Sequence, residues 1–153
     1  GDTTPVRLVA SAATEFFPSL SPDGRWLAYS SNESGSPEIY VRPFPETGTA
    51  RWQVSTTGGG QPLWSRSGRE LFYINGKGEM MSAEVRTGAT FAVGEQRVLF
   101  STSPYLIGTG IHTYSVAPDD KRFLMLQEGE SIQQSELVLA ENWMQRVLEG
   151  SSK

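Results

Sequence analysis

Cysteine is absent from the 153 residues, and histidine occurs once. The first absence excludes disulfide scaffolds and thiolate metal sites. The second excludes zinc sites built from several imidazoles and leaves at most one histidine for any catalytic triad. No apolar run approaches the roughly 18 residues that a membrane-spanning helix needs. Positive charge is also scarce: 13 Lys and Arg face 17 Asp and Glu, a net charge of −4. A sequence-independent nucleic-acid binder needs a basic stripe to displace counterions, so no nucleic-acid partner is expected. What is present in modest excess is glycine, at 16, and proline, at 9. These predict many turns and short strands in a chain long enough for one domain with a real core.

The chain repeats itself three times. Phe17-Pro18-Ser19-Leu20-Ser21-Pro22-Asp23-Gly24-Arg25 has a partner in Gln61-Pro62-Leu63-Trp64-Ser65-Arg66-Ser67-Gly68-Arg69. A third copy is Thr113-Tyr114-Ser115-Val116-Ala117-Pro118-Asp119-Asp120-Lys121. Each pairs a short strand with a tight turn and then an apolar run: 26–29, 71–74 and 123–126. Pro22 presets φ, Asp23 bonds back to the backbone, and Gly24 takes a left-handed conformation at no steric cost. The second copy keeps Gly68. The third keeps Pro118 and Asp119 and puts Asp120 at the glycine position, where Asp is among the tolerated alternatives.

A third extended segment follows each hairpin, at 38–42, 79–85 and 136–140, and a fourth follows the first two, at 51–54 and 97–100. Four short antiparallel strands per 40–50 residues is the period of a propeller blade. The apolar runs lack alternation, as expected of strands covered on both faces. The expected fold is therefore all-β, with three four-stranded antiparallel propeller blades, half of a six-bladed ring, and a short helix at 143–149. The blades are placed at 16–55, 61–100 and 111–140, the last lacking its outer strand. Residues 5–9 are expected to be an outer strand belonging to another blade, and 142–153 to be a chain end.

Ser21-Pro22-Asp23-Gly24-Arg25-Trp26-Leu27-Ala28-Tyr29-Ser30-Ser31 resembles the repeat of WD40-like, TolB-type β-propellers. The three copies spread this resemblance over nearly all of 5–142. The stretch from Gly68 to Trp143 is also similar to the C-terminal end of propellers attached to bacterial receptor-like serine/threonine kinases. The resemblance implies a sensing or protein-binding region and an extracytoplasmic location. No kinase motif occurs, so no kinase activity comes with it.

Each candidate for chemistry has a simpler structural explanation. Asp23, Asp119 and Asp120 recur at one turn position, as turn residues do. His112 stands near the start of the third copy and is expected to face the central channel, but no G-x-S-x-G elbow accompanies it. Gly58-Gly59-Gly60 lacks the following helix that a phosphate loop needs and is expected to be a flexible connector. Glu128 and Glu130 lack an apolar surround to raise a catalytic pKa. Trp26 and Trp64 are expected between blades, with Trp52 on an outer strand.

The expectation is a non-enzymatic binding or sensor module with no cofactor and no metal. Its candidate ligand residues are Phe16, Gly60, Gln61 and His112, on connectors 13–16, 58–61 and 106–112. Three wedge-shaped sheets cannot close a circle, so the expected partner is a second copy, the missing blades of a longer chain, or another protein. The alternatives are half of a propeller-type lyase or glycosidase site, or the propeller of a prolyl-oligopeptidase-like hydrolase.

Overall fold

The computed structural model describes residues 4, 5, 7–9, 11–128 and 135–140. The first sheet holds β1 (Glu15–Leu20), β2 (Trp26–Ser31), β3 (Glu38–Pro43) and β4 (Trp52–Gln53) in that order. The second holds β5 (Gly60–Trp64), β6 (Glu70–Ile74), β7 (Glu79–Thr87) and β8 (Phe91–Ser101). The third runs β11-β10-β9, from β9 (Tyr114–Val116), β10 (Phe123–Glu128) and β11 (Ser135–Ala140). Every ladder is antiparallel. Among the described residues the chain is all-β.

The third sheet has three strands among the described residues, where the first two have four. Its inner strand is also short, starting at Tyr114, because the preceding connector takes part of its place. Tyr105 bridges Gln127, and Leu106 N–H donates to Leu126 C=O at 2.8 Å. Strand β8 begins at Phe91, well before the expected Arg97, and two irregularities in its pairing with β7 disturb the alternation that would reveal it. Residues 7–9 form no ladder; Leu8 C=O accepts from the Thr47 hydroxyl and Val9 rests on the first sheet. The helix expected at 143–149, Glu130 and the side chain of Glu128 lie outside the described residues.

The repeated turn is built three times with the same bonds. Gly24 N–H donates to Ser21 C=O at 2.8 Å, Gly68 N–H to Ser65 C=O at 3.0 Å, and Asp120 N–H to Ala117 C=O at 2.9 Å. Gly24 and Gly68 both sit at φ 69°, and Asp120 at 58°. Asp23 accepts from the Ser21 hydroxyl at 2.5 Å and from Arg25 N–H at 3.1 Å. The Ser21 bond, first, and the Arg25 amide hold its carboxyl below the ordinary range. In the second copy Ser67 takes over the acceptor role toward Arg69 N–H. Asp119 does the same for Lys121 N–H at 3.1 Å, and that bond lowers its pKa.

The sheets stack face to face. Between the first and second lie Trp26, Ala28, Ile39, Val41, Trp64, Leu71, Tyr73, Met81 and Phe91. Between the second and third lie Phe72, Ile74, Met80, Leu99, Tyr114, Phe123 and Met125. Strand β2 is buried along its whole length and β6 at all but its first residue. The apolar run of β6 thus has a sheet on either face, and that of β2 has the second sheet on one face and Val9 and Phe44 on the other.

Candidate ligand groove at the inner-strand mouth

The inner strands β1 and β5 carry an irregularity at equivalent positions. Phe17 (φ 53°) and Gln61 (φ 55°) are non-glycine residues in the left-handed region, each just before a proline and each at a register shift. Such a conformation costs about 1–2 kcal/mol and persists only where the surroundings impose it. For Gln61 the cause is visible. Its side-chain NH₂ donates to Gly108 C=O at 3.0 Å, and its Oε1 accepts from Thr113 N–H at 2.7 Å and from the Thr113 hydroxyl at 3.0 Å. Its backbone carbonyl accepts from the Tyr114 hydroxyl at 2.7 Å. For Phe17 the ring meets His112 edge-on at 5.4 Å between centroids.

Residues of both bulges line a groove of about 430 Å³. Phe16, Phe17, Pro37, Ile74 and Ile107 supply its apolar lining, and no charged side chain lines it among the described residues. One wall is the backbone of 58–60, where the triple glycine is not a loose connector. A Cβ on Gly58 would lie 2.8 Å from Gly76, one on Gly59 2.5 Å from Ser55 Oγ, and one on Gly76 2.6 Å from Thr57 O. Two loops cross there at backbone distance, which only glycine permits. The buried Glu38 carboxylate fixes the crossing by accepting from the Ser55 hydroxyl and from Gly58 N–H at 3.0 Å. On the other side, Asn75 Oδ1 accepts from the N–H groups of Lys77 and Glu79, both at 3.0 Å, and Gly76 N–H donates to Thr57 C=O at 3.0 Å. Gly60 differs from its neighbours: a Cβ there meets nothing within 4 Å.

Of the four candidate ligand residues, the structure brings Phe16, Gly60 and Gln61 into this groove. His112 stands behind it, on Phe17, with Nε2 3.3 Å from Pro62 O. It precedes β9 rather than lying on an inner strand. The amide of Gln61 is already engaged, so that residue shapes the groove more than it offers a free group. Sequence reasoning missed Ile74, Asn75 and Gly76, which the β6–β7 turn delivers; the Asn-Gly pair was legible as a turn but not as a neighbour of 58–60. The repeated turns lie elsewhere. Pro22, Pro118 and Asp120 border a second hollow of about 500 Å³, where Asp120 accepts from Arg66 N–H at 2.6 Å and Ser67 N–H at 3.1 Å. The tryptophans form no open platform: Trp26 and Trp64 are buried around Phe91, with Trp52 half-buried beside them.

Inner strands β1 and β5 side by side, blades of the same turn and strand order, and a ligand-sized hollow beside those two strands are the parts of a propeller. Comparison of the coordinates with solved structures agrees. Oligogalacturonate lyase from Vibrio parahaemolyticus superposes with a TM-score of 0.61 at 13% identity, over 88% of this chain and 40% of the lyase. The fold is propeller-like. An oligogalacturonate lyase in complex with manganese gives 0.57 at 16% identity, over 79% of this chain and 32% of that one. A protein of Agrobacterium tumefaciens described as TolB gives 0.56 at 15% identity, over 87% and 47%. The chain thus spans less than half the length of these structures. No protein-family model and no curated protein matches the sequence.

Proposed function

We propose that this propeller-like chain is a binding module and not an enzyme, whose groove receives an apolar group of a protein or small ligand. The observation that supports it most is the uncharged, apolar lining of the groove beside two strained, non-glycine inner-strand residues. Strain of this kind clusters at ligand-contacting positions, and apolar hollows with a few polar edges are common ligand sites. The similarity to TolB-type structures fits a sensor or protein-docking role within a larger ring.

Gly60 provides the test. Leucine there has room for its Cβ and extends into the groove. Fluorescence polarisation against short peptides differing in one aromatic or aliphatic residue should show binding by the wild type. Gly60→Leu should lose it at least tenfold with an unchanged melting temperature. Binding that Gly60→Leu leaves intact removes the groove from the function.

A second reading follows from the similarity to oligogalacturonate lyases: the chain supplies half of a lyase site on an acidic polysaccharide. An uncharged groove is poor material for it, because an elimination needs a base to take the proton and cationic groups for the substrate's carboxylates. Incubation with oligogalacturonate and Mn²⁺, followed by ultraviolet absorbance of an unsaturated product, tests it; a rise above the protein-free control would favour the lyase over the binding module.

A further inference from the structure

We infer that Ile111 is the closing residue of the groove: the segment 109–111 turns about Gly110 and lays the isoleucine side chain over a bound apolar group. The inference rests on the groove reading and names the residue that seals it.

The apolar lining is unfinished at its rim. Phe16 and Ile107, which line the groove, are each 39% exposed. Ile111 does not line it and is 65% exposed, more than any other large apolar side chain among the described residues. Yet its predecessors Gly108, Thr109 and Gly110 all line the groove. Its Cγ1 lies 3.7 Å from where a Cβ on Gly108 would stand, so the side chain rests beside the wall. Water gains nothing from an exposed isoleucine, whereas covering an apolar guest takes both surfaces out of it.

The backbone around Ile111 divides into tied and free parts. The Gln61 carboxamide ties both ends, donating to Gly108 C=O at 3.0 Å and accepting from Thr113 N–H at 2.7 Å. Leu106 N–H donates to Leu126 C=O at 2.8 Å, and His112 stands against the Phe17 ring. Between these ties, no hydrogen bond holds the N–H groups of Thr109, Gly110 and Ile111 among the described residues. Gly110 sits at φ 87°, and a Cβ there would meet nothing within 4 Å. Glycine takes either sign of φ with similar ease, so rotation at Gly110 carries Ile111 while both ties hold. The free span suffices to move one side chain across a rim and is too short for a larger rearrangement.

The test uses the isoleucine methyl groups. Ile74 and Ile107 line the groove and serve as the internal reference for Ile111. With isotope-labelled isoleucine methyls, the protein is titrated with N-phenylnaphthylamine, an uncharged apolar fluorophore. Nuclear Overhauser contacts should join the bound fluorophore to Ile74 and Ile107, and to Ile111 as well. Ile111→Ser should weaken binding about tenfold, mainly through faster dissociation. The melting temperature should not change, because the side chain is exposed in the free protein. Contacts to Ile74 and Ile107 without Ile111, or an affinity that Ile111→Ser leaves unchanged, overturn the closure and leave the groove reading standing. A fluorophore that never contacts Ile74 and Ile107, or whose binding ignores Gly60→Leu, removes the groove and its closing residue together.

Discussion

The two junctions between blades join the same structural units by different means. The first is held by aromatic mass. The tip of the β7–β8 hairpin reaches across to the first blade, Phe91 enters a cluster with Trp26, Trp52 and Trp64, and Arg25 donates to Gly88 C=O at 2.9 Å. The second has smaller rings but more buried polar ties, with Gln61 holding Gly108 and Thr113 and Tyr114 returning a bond to Gln61. A repeat in sequence therefore fixes where blades meet, not what holds them together. Apolar contact tolerates repacking, whereas a buried hydrogen-bond set fails when one member is lost.

Phe91→Ala should have the largest effect. It removes a ring that is 3% exposed and should cost about 3–5 kcal/mol. Chemical denaturation followed by tryptophan fluorescence measures it, and the native emission should shift because three indoles surround the site. A loss below about 1 kcal/mol would mean that the hairpin tip is an ornament on the first junction.

Gln61→Leu comes next, at about 1–3 kcal/mol, because it strands the buried N–H of Thr113 while keeping the volume. The loss should be accompanied by faster hydrogen exchange at Thr113 and along 108–113. Unchanged exchange there would show that the second junction depends on its rings, and the contrast between the junctions would collapse.

The smallest effect is an alkaline one. Burial pushes Tyr73 at the first junction up to about 12, with the Glu38 charge adding to it, and pushes Tyr114 at the second well above its ordinary value. Both hydroxyls stay protonated in the folded state at a pH where the unfolded chain releases the proton. The contribution of Tyr73 is therefore fully present below about pH 10 and is lost as pH rises through about 12, and that of Tyr114 is lost in the same direction. Ultraviolet titration should show these tyrosines ionising in step with unfolding. Ionisation of Tyr73 near pH 10 in folded protein would contradict its burial.

Much of this architecture is written in local chemistry. The turns at Gly24, Gly68 and Asp120 announce themselves because their backbone demands particular residues, and β2 and β6 because burial on both faces keeps charged side chains out of their buried positions. Phe91 was illegible because β8 alternates poorly after Gly94, and its partner tryptophans lie far away in sequence. The left-handed backbone at Phe17 and Gln61 was illegible for another reason: neither residue type favours it, and the side-chain bonds that hold Gln61 there come from residues about fifty positions on. Of the groove, the connectors were readable as loops; Phe16, Gly60 and Gln61 were expected on them and lie instead in the first residues of β1 and β5. That Gly58 and Gly76 touch was not readable, because a close backbone approach leaves only the absence of side chains as its mark.

The crossing has a consequence for chemical ageing. Asn75-Gly76 is the kind of pair that cyclises to a succinimide in a loose chain, when the glycine amide nitrogen attacks the asparagine side chain. Here that N–H is held by Thr57, and the carboxamide by Lys77 and Glu79. The folded chain shelters its most labile bond in the wall of its groove, and conversion of Asn75 to aspartate or isoaspartate becomes a clock that runs only while the blades are apart.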